Sequence, residues 1–160
     1  MRSHGTGFLF FIAGVSSVLA FPLNPLVLLK VIEPNDVELL RYMGWMFWLA
    51  GIVLVVLSYY HIYIRKAKTL VDGGIYAVVR HPMYLGWILS IFVATLFLYQ
   101  HWVFLAIGIA GVASMYLIAR QEELANIEKL GDDYKLYMRE VPRMNLVSGV
   151  VRLLRRRRGK

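Results

Sequence analysis

The sequence predicts an all-α protein, a membrane bundle of about four transmembrane helices with one loop and an amphipathic C-terminal helix on the cytoplasmic side. Three observations carry that prediction. Hydrophobic residues make up 59% of the 160 residues, above the roughly 45–50% of a soluble domain, and the mean hydropathy is +0.58. The apolar residues fall into four blocks, each close to the roughly 20 residues that span a bilayer. With four spans, the basic residues sort to one side. The high apolar fraction excludes a disordered chain, and the absence of cysteine excludes a disulfide scaffold and a cysteine-zinc site. One unit covering residues 1–160 is expected at this length.

The first block runs over about residues 7–31 and carries no charge before Lys30. Pro22 and Pro25 lie inside it, and each removes a backbone donor. One kinked span and two short helices both satisfy this pattern. The start, Met1-Arg2-Ser3-His4, has the flavour of a signal peptide, but the apolar run outlasts an h-region and no small-residue cleavage site follows. It reads as a retained first span. The second block covers 42–64 and ends one turn after His61, an ionisable residue at a depth where function is a default hypothesis and snorkelling the plain one. The third and fourth blocks cover 82–99 and 102–119. Only Tyr99-Gln100-His101-Trp102 separates them, so they form an antiparallel hairpin, with Tyr99 and Trp102 at headgroup depth.

Residues 65–81 form a loop broken at Gly73-Gly74. In 120–140, Leu124, Ile127, Leu130, Tyr134, Tyr137 and Met138 recur at helical spacing. That segment reads as a surface helix with a break at Gly131, ended by Pro142, lying on the membrane or closing over the loop. The tail, Arg152 to Lys160, is a charge run. It reads as a stop signal gripping anionic lipid headgroups, in preference to a nucleic-acid patch. Sixteen of the eighteen Lys and Arg residues then share one side of the membrane, and only Lys30 and Arg41 face the other. The positive-inside rule places that side, with both termini, in the cytoplasm.

Two clusters stand out for chemistry. Arg80-His81-Pro82-Met83-Tyr84-Leu85-Gly86 puts a cation, an imidazole and a phenol at a span entrance. Pro82 suits a first helical turn, and the free N–H groups of that turn favour a carboxylate. Glu122-Glu123 follows the fourth block. The plain alternatives are an interfacial anchor for the first cluster and a solvated helix face for the second. The short hairpin sets the two clusters side by side, a pairing that suits a zwitterionic ligand. The four histidines show no paired ligand spacing, so no metal site is expected. No Walker loop or nucleophile elbow is present, and Gly5-Thr6-Gly7 follows no strand.

These residues together resemble the membrane-embedded methyltransferases: the isoprenylcysteine carboxyl methyltransferase family and the related phospholipid N-methyltransferases. The resemblance covers about residues 68–143. It rests on Lys68-Thr69-Leu70-Val71, on Gly74-Ile75-Tyr76 leading into Arg80-His81-Pro82-Met83-Tyr84-Leu85-Gly86, and on the hairpin with Glu122-Glu123. Leu130-Gly131-Asp132-Asp133-Tyr134, Tyr137 and Val141-Pro142-Arg143 complete the ordered set. It implies a cytoplasm-facing pocket for S-adenosyl-L-methionine, lined by Lys68, Thr69, Leu70, Val71, Tyr76, His81, Pro82, Met83, Tyr84, Glu122 and Glu123. It also implies a lipophilic acceptor that enters from the bilayer, in a compact form like that of prokaryotic plasma-membrane members.

Methyl transfer from a sulfonium needs positioning above all. An amine acceptor must also lose a proton, for which Glu122 and His81 are the candidates. The isoprenylcysteine enzymes carry an Arg where this chain has Ile118; the nearest cation is Arg120, which joins Glu122 and His81 as a candidate catalytic residue. The chain is most like an isoprenylcysteine carboxyl O-methyltransferase. An aminophospholipid N-methyltransferase and a small-thiol S-methyltransferase are alternatives, and a sterol-type NADPH reductase or a non-enzymatic membrane protein are more distant ones.

Overall fold

The computed structural model of the chain describes residues 12–13, 15–17, 25–64, 70 and 72–158. Among these it is helical throughout, and three helices are long and apolar enough to cross a membrane: Glu38–Ile62, Pro82–Tyr99 and Trp102–Leu130. The expected first span, 7–31, is described in part only. Residues 12–13 and 15–17 are helical, and α1, a single turn over Pro25–Leu28, follows. Residues 29–31 then turn, and residues 7–11, 14 and 18–24 of that span lie outside the described residues.

Helix α2 covers Glu38–Tyr59 and runs on through a π-turn, Tyr60–Ile64. It starts a turn earlier than the apolar block at 42–64. The reason is local: Arg41 is held by Asp36 at 2.7 Å, so the charges at the helix start are paired and exposed while the helix continues outward. Helix α3 covers Pro82–Tyr99, with a π-turn at Ile88–Val93 between two α-helical halves. Pro82 occupies its first turn, as its fixed φ and missing donor favour. Buried hydroxyls are satisfied inside the helices. Ser58 donates to the Leu54 carbonyl at 2.6 Å, Ser90 to Gly86 at 2.8 Å, and Thr95 to Ile91. Such back-bonding lets polar side chains sit in an apolar layer and bends the helix slightly.

The link from α3 to the next helix is as short as the sequence implies. Gln100 takes a left-handed φ of 52° and caps α3. Its side chain accepts from the Val37 N–H at 3.0 Å and donates to the Val37 carbonyl at 2.9 Å, which ties the start of α2 to the hairpin tip. Helix α4, Trp102–Leu130, corrects the sequence reading at one point. The fourth span and the segment after residue 119 are one unbroken helix, because Arg120 to Leu130 contains good helix formers and no breaker. At 29 residues it is about 43 Å long, so it projects beyond a hydrocarbon core of about 30 Å. The break comes at Gly131, with φ of 60°. Helix α5, Asp132–Glu140, then folds back, and α6, Leu146–Arg158, turns the basic tail into a helix.

Two apolar cores result. One joins Ala13 to Ile88, Ile91 and Phe92 of α3 and to Met115 and Ile118 of α4, with Tyr84 and Met144 against it. The other joins Tyr134, Tyr137 and Val141 to Leu70, Ile127 and Leu130. Helices α2 and α3 cross at Gly51 and Gly86, where each backbone fills the space that a Cβ on the other would need. Without a hydrophobic drive between helices in lipid, such small-residue contact supplies the packing energy. Gly51→Leu is therefore expected to cost about 1–3 kcal/mol or more by overpacking, read as a lowered midpoint of thermal unfolding in detergent. Gly73→Ala, where a Cβ meets open space, is the control and should leave the midpoint nearly unchanged.

Candidate active site at the end of the helical hairpin

The hairpin brings the start of α3 beside the last turns of α4, at the end of the bundle that carries the basic loops. There Glu123 is buried, its side chain 2% exposed. Three residues meet it. Arg143 donates from Nε to Oε1 at 3.0 Å and from Nη2 to Oε2, a bidentate pair. His81 Nε2 lies 3.2 Å from Oε1, and Arg80 Nη1 also approaches Oε1 to 3.2 Å. A buried carboxylate is costly unless paired and hydrogen-bonded, and Glu123 is both.

Each partner is fixed by its backbone. The Arg80 N–H donates to the Pro142 carbonyl at 3.0 Å, and the His81 N–H to the Arg143 carbonyl at 3.1 Å. The segment after α5 therefore runs alongside the entrance of α3 and delivers Arg143 to the cluster. The Arg143 guanidinium also lies 4.6 Å over the centre of the Tyr116 ring of α4. Behind it, the Tyr137 hydroxyl donates to the Tyr76 carbonyl at 2.7 Å. Burial pushes the Tyr137 phenol above its ordinary pKa, which keeps it a neutral donor. Through this bond α5 closes over the 3-10 turn at Gly74–Ala77.

Glu122 is placed differently. Its side chain is 48% exposed, with Oε2 3.8 Å from His81 Nδ1. The Tyr84 ring stacks on His81 at 5.5 Å between centroids. Arg80 has a side chain only 8% exposed, yet its Nε and Nη1 lack a hydrogen-bond partner. Nη1 is nonetheless ion-paired with Glu123, which leaves Nε as the unpartnered donor. That N–H and the half-exposed Glu122 carboxylate at the same end of the hairpin are complementary to a ligand with a carboxylate and an ammonium.

Of the residues singled out from sequence, His81, Pro82, Met83, Tyr84, Glu122 and Glu123 gather at this site. Tyr76 is buried behind it. Leu70 packs on the outer core with Tyr134, Tyr137 and Val141, beside a hollow of about 520 Å³ also lined by Asp72 and Asp133. Lys68, Thr69 and Val71 lie outside the described residues. Arg120 is exposed and forms no ion pair among the described residues; Arg80 and Arg143 are the guanidiniums beside Glu123. In the sequence, Arg143 stands out only as the end of Val141-Pro142-Arg143. Its signal was a lone cation directly after the Pro that ends a helix. His61 lies against Gly74 of the loop and accepts from or donates to no partner in the Glu123 cluster; its Nδ1 is 2.9 Å from the Leu57 carbonyl.

A second feature adjoins the site. An almost wholly apolar groove of about 600 Å³ runs between α3 and α4, lined by Phe92, Leu96, Phe104, Gly108, Val112 and Tyr116 among others. Tyr116 closes one end, and on the other side of that ring begins a hollow shared with Arg143 and Asn145.

Apolar spanning helices, with a charged cluster at one end and an apolar groove along the α3–α4 hairpin, define an integral membrane protein. The family model described as phospholipid methyltransferase matches residues 39–131, more than half of the chain, and the chain belongs to that family. It is an integral membrane methyltransferase. No curated protein and no solved structure matches it. The matched stretch includes α2 to α4 and the Arg80, His81, Glu122 and Glu123 positions; Arg143 lies beyond it.

The cluster makes a direct prediction about stability. Glu123→Gln leaves Arg80 and Arg143 without their counter-charge and should cost about 3–5 kcal/mol. Glu122→Gln, at a half-exposed position, should cost less than about 1 kcal/mol. Thermal unfolding of both variants in the same detergent measures the difference.

Proposed function

We propose that this methyltransferase uses S-adenosyl-L-methionine and transfers its methyl group to the amine of an aminophospholipid that enters sideways from the bilayer. The observation that supports the cofactor is the unpartnered Nε of buried Arg80 together with the half-exposed Glu122 carboxylate at the same end of the hairpin. Arg80 would hold the carboxylate of the methionine moiety and Glu122 its ammonium, with the stacked His81 and Tyr84 rings beside them. When bound, the cofactor supplies an electrophilic methyl carried on a sulfonium.

The chain's own residues do the rest. Glu123 holds Arg80, His81 and Arg143 in fixed positions, so little reorganisation accompanies reaction. The groove between α3 and α4 takes an acyl chain and excludes water from the acceptor. Arg143 and Asn145, past Tyr116, face the headgroup, where a guanidinium suits a phosphate. An amine acceptor must lose a proton before it attacks, and Glu122 and His81, 3.8 Å apart, are placed to accept it.

One feature favours the amine over a carboxylate acceptor: Ile118 is buried apolar core where the carboxyl enzymes carry an Arg. The ordered motifs from Lys68 to Arg143 support O-methylation of a prenylated cysteine as the second reading. That acceptor would use the same groove and need no base. Under either reading the basic end faces the cytoplasm by the positive-inside rule, and the membrane is that of a prokaryotic cell.

Calorimetry on detergent-purified protein tests the cofactor. S-adenosylmethionine should bind saturably, and Glu122→Gln should weaken it about 10–100-fold, the worth of one charged hydrogen bond, without loss of fold. Binding of NADPH instead would favour the reductase, the more distant alternative. For the acceptor, Gly108→Leu is informative, because a Cβ there meets nothing nearer than Phe92 at 3.8 Å. The larger side chain fills the groove. It should raise KM for the lipid at least about tenfold, a loss of roughly 1.4 kcal/mol, and leave cofactor affinity unchanged.

A further inference from the structure

Helix α6 is not absorbed by the catalytic reading. One of its faces is seated on the bundle: Gly149 packs so closely on the Val78 carbonyl that a Cβ would overlap it, and Leu146 and Leu153 on the same face are half-buried. A second face is bare. Val147 is 77% exposed, Val150 44%, Val151 42% and Leu154 51%. Their spacing of i, i+3, i+4 and i+7 makes one continuous apolar stripe.

The depth of this helix is fixed by its neighbours. Leu146 and Val147 line a common hollow with Tyr116 and Arg143. Tyr116 lies only three residues, about 4.5 Å, before Ala119, where the apolar run of α4 gives way to Arg120-Gln121-Glu122-Glu123. The start of α6 is therefore level with the edge of the bilayer that holds α4. Charge names the occupant of the bare face. From Val141 onward the chain has no Asp or Glu, and it carries seven Lys and Arg residues. An apolar stripe on a strongly basic helix at headgroup level matches an anionic lipid surface.

We infer that α6 lies in the membrane plane with Val147, Val150, Val151 and Leu154 inserted among anionic lipids, and that its seat on Val78 transmits this contact to the Arg80–His81 segment. The link is short. Val78 precedes Arg80 by two residues, and the Arg80 and His81 amides are bonded to Pro142 and Arg143, just before α6. Lipid that holds α6 down also holds the segment that positions Arg143. The inference stands independently of which acceptor is methylated.

The chain has no cysteine, so Val150→Cys takes a single environment-sensitive fluorophore in the full-length protein. In nanodiscs containing phosphatidylglycerol, the label should emit blue-shifted and be quenched by a spin-labelled acyl chain. In phosphatidylcholine alone, or with the four arginines at 155–158 changed to Gln, it should become accessible to aqueous iodide. Equal iodide access in both lipids would overturn the inference. So would shielding that appears in detergent and grows with protein concentration, which would assign the face to a second copy, or shielding that requires an added soluble protein. Hydrogen exchange tests the transmission. The Arg80 and His81 amides should exchange about tenfold more slowly in the anionic discs, and Gly149→Leu should abolish the difference while the label stays buried. Equal exchange of the unsubstituted chain in the two lipids would refute the coupling.

Discussion

The rest of the structure depends on one buried carboxylate. Three segments cross from the inner apolar core to the outer one, and all three pass Glu123. The first runs from Tyr84 back through His81 and Arg80 to Tyr76. The second is α4, from Ile118 to Ile127. The third runs from Val141 to Met144 through Arg143. The charges on Arg80, Glu123 and Arg143 meet between the two cores. In a region that water barely reaches, removing any one charge strands the others. The same interaction therefore sets the fold at this end and fixes the positions of the groups that face a ligand.

This arrangement divides the work between adjacent glutamates. Glu123 faces inward and is consumed by structure. Glu122, about 100° further round the helix, stays half-exposed and free to meet a ligand or a proton. Neighbouring positions on one helix thus serve as a fixed post and a working group. The π-turn in α3 and the back-bonded hydroxyls of Ser90 and Thr95 show the same economy, because polar groups are satisfied within their own helix and leave the groove walls apolar.

Much of the architecture was legible in the sequence, and the reasons are physical. Apolar block lengths located α2 to α4, and the four-residue link at Tyr99–Trp102 dictated that the RHP motif and the glutamate pair meet. What a local pattern cannot encode is helical register. Nothing in Glu122-Glu123 says which carboxylate turns inward, because that depends on how α4 rotates against α3. Arg120 illustrates the same limit: it is close to the site in sequence but exposed. Arg143 reaches Glu123 only through the fold-back of α5 and the backbone bonds at Pro142 and Arg143, a long-range event. The continuation of α4 past residue 119 was obscured by a change in composition, from apolar to charged, with no change in helix propensity. In the tail, the arginine run overlaps and masks the i, i+3, i+4, i+7 spacing of Val147, Val150, Val151 and Leu154.

The most direct test of the account is methyl transfer itself. Full-length protein in bilayer nanodiscs containing phosphatidylethanolamine and a prenylcysteine lipid would be incubated with S-adenosylmethionine labelled in its methyl group. The account predicts label in the organic phase that survives mild alkali, as an N-methyl group does, and its loss in Glu122→Gln. Label released by alkali as methanol would indicate a methyl ester and favour the carboxyl acceptor. Folded protein that binds the methyl donor but labels neither lipid would contradict the central claim that the groove beside the Glu123 cluster presents a lipid acceptor for methylation.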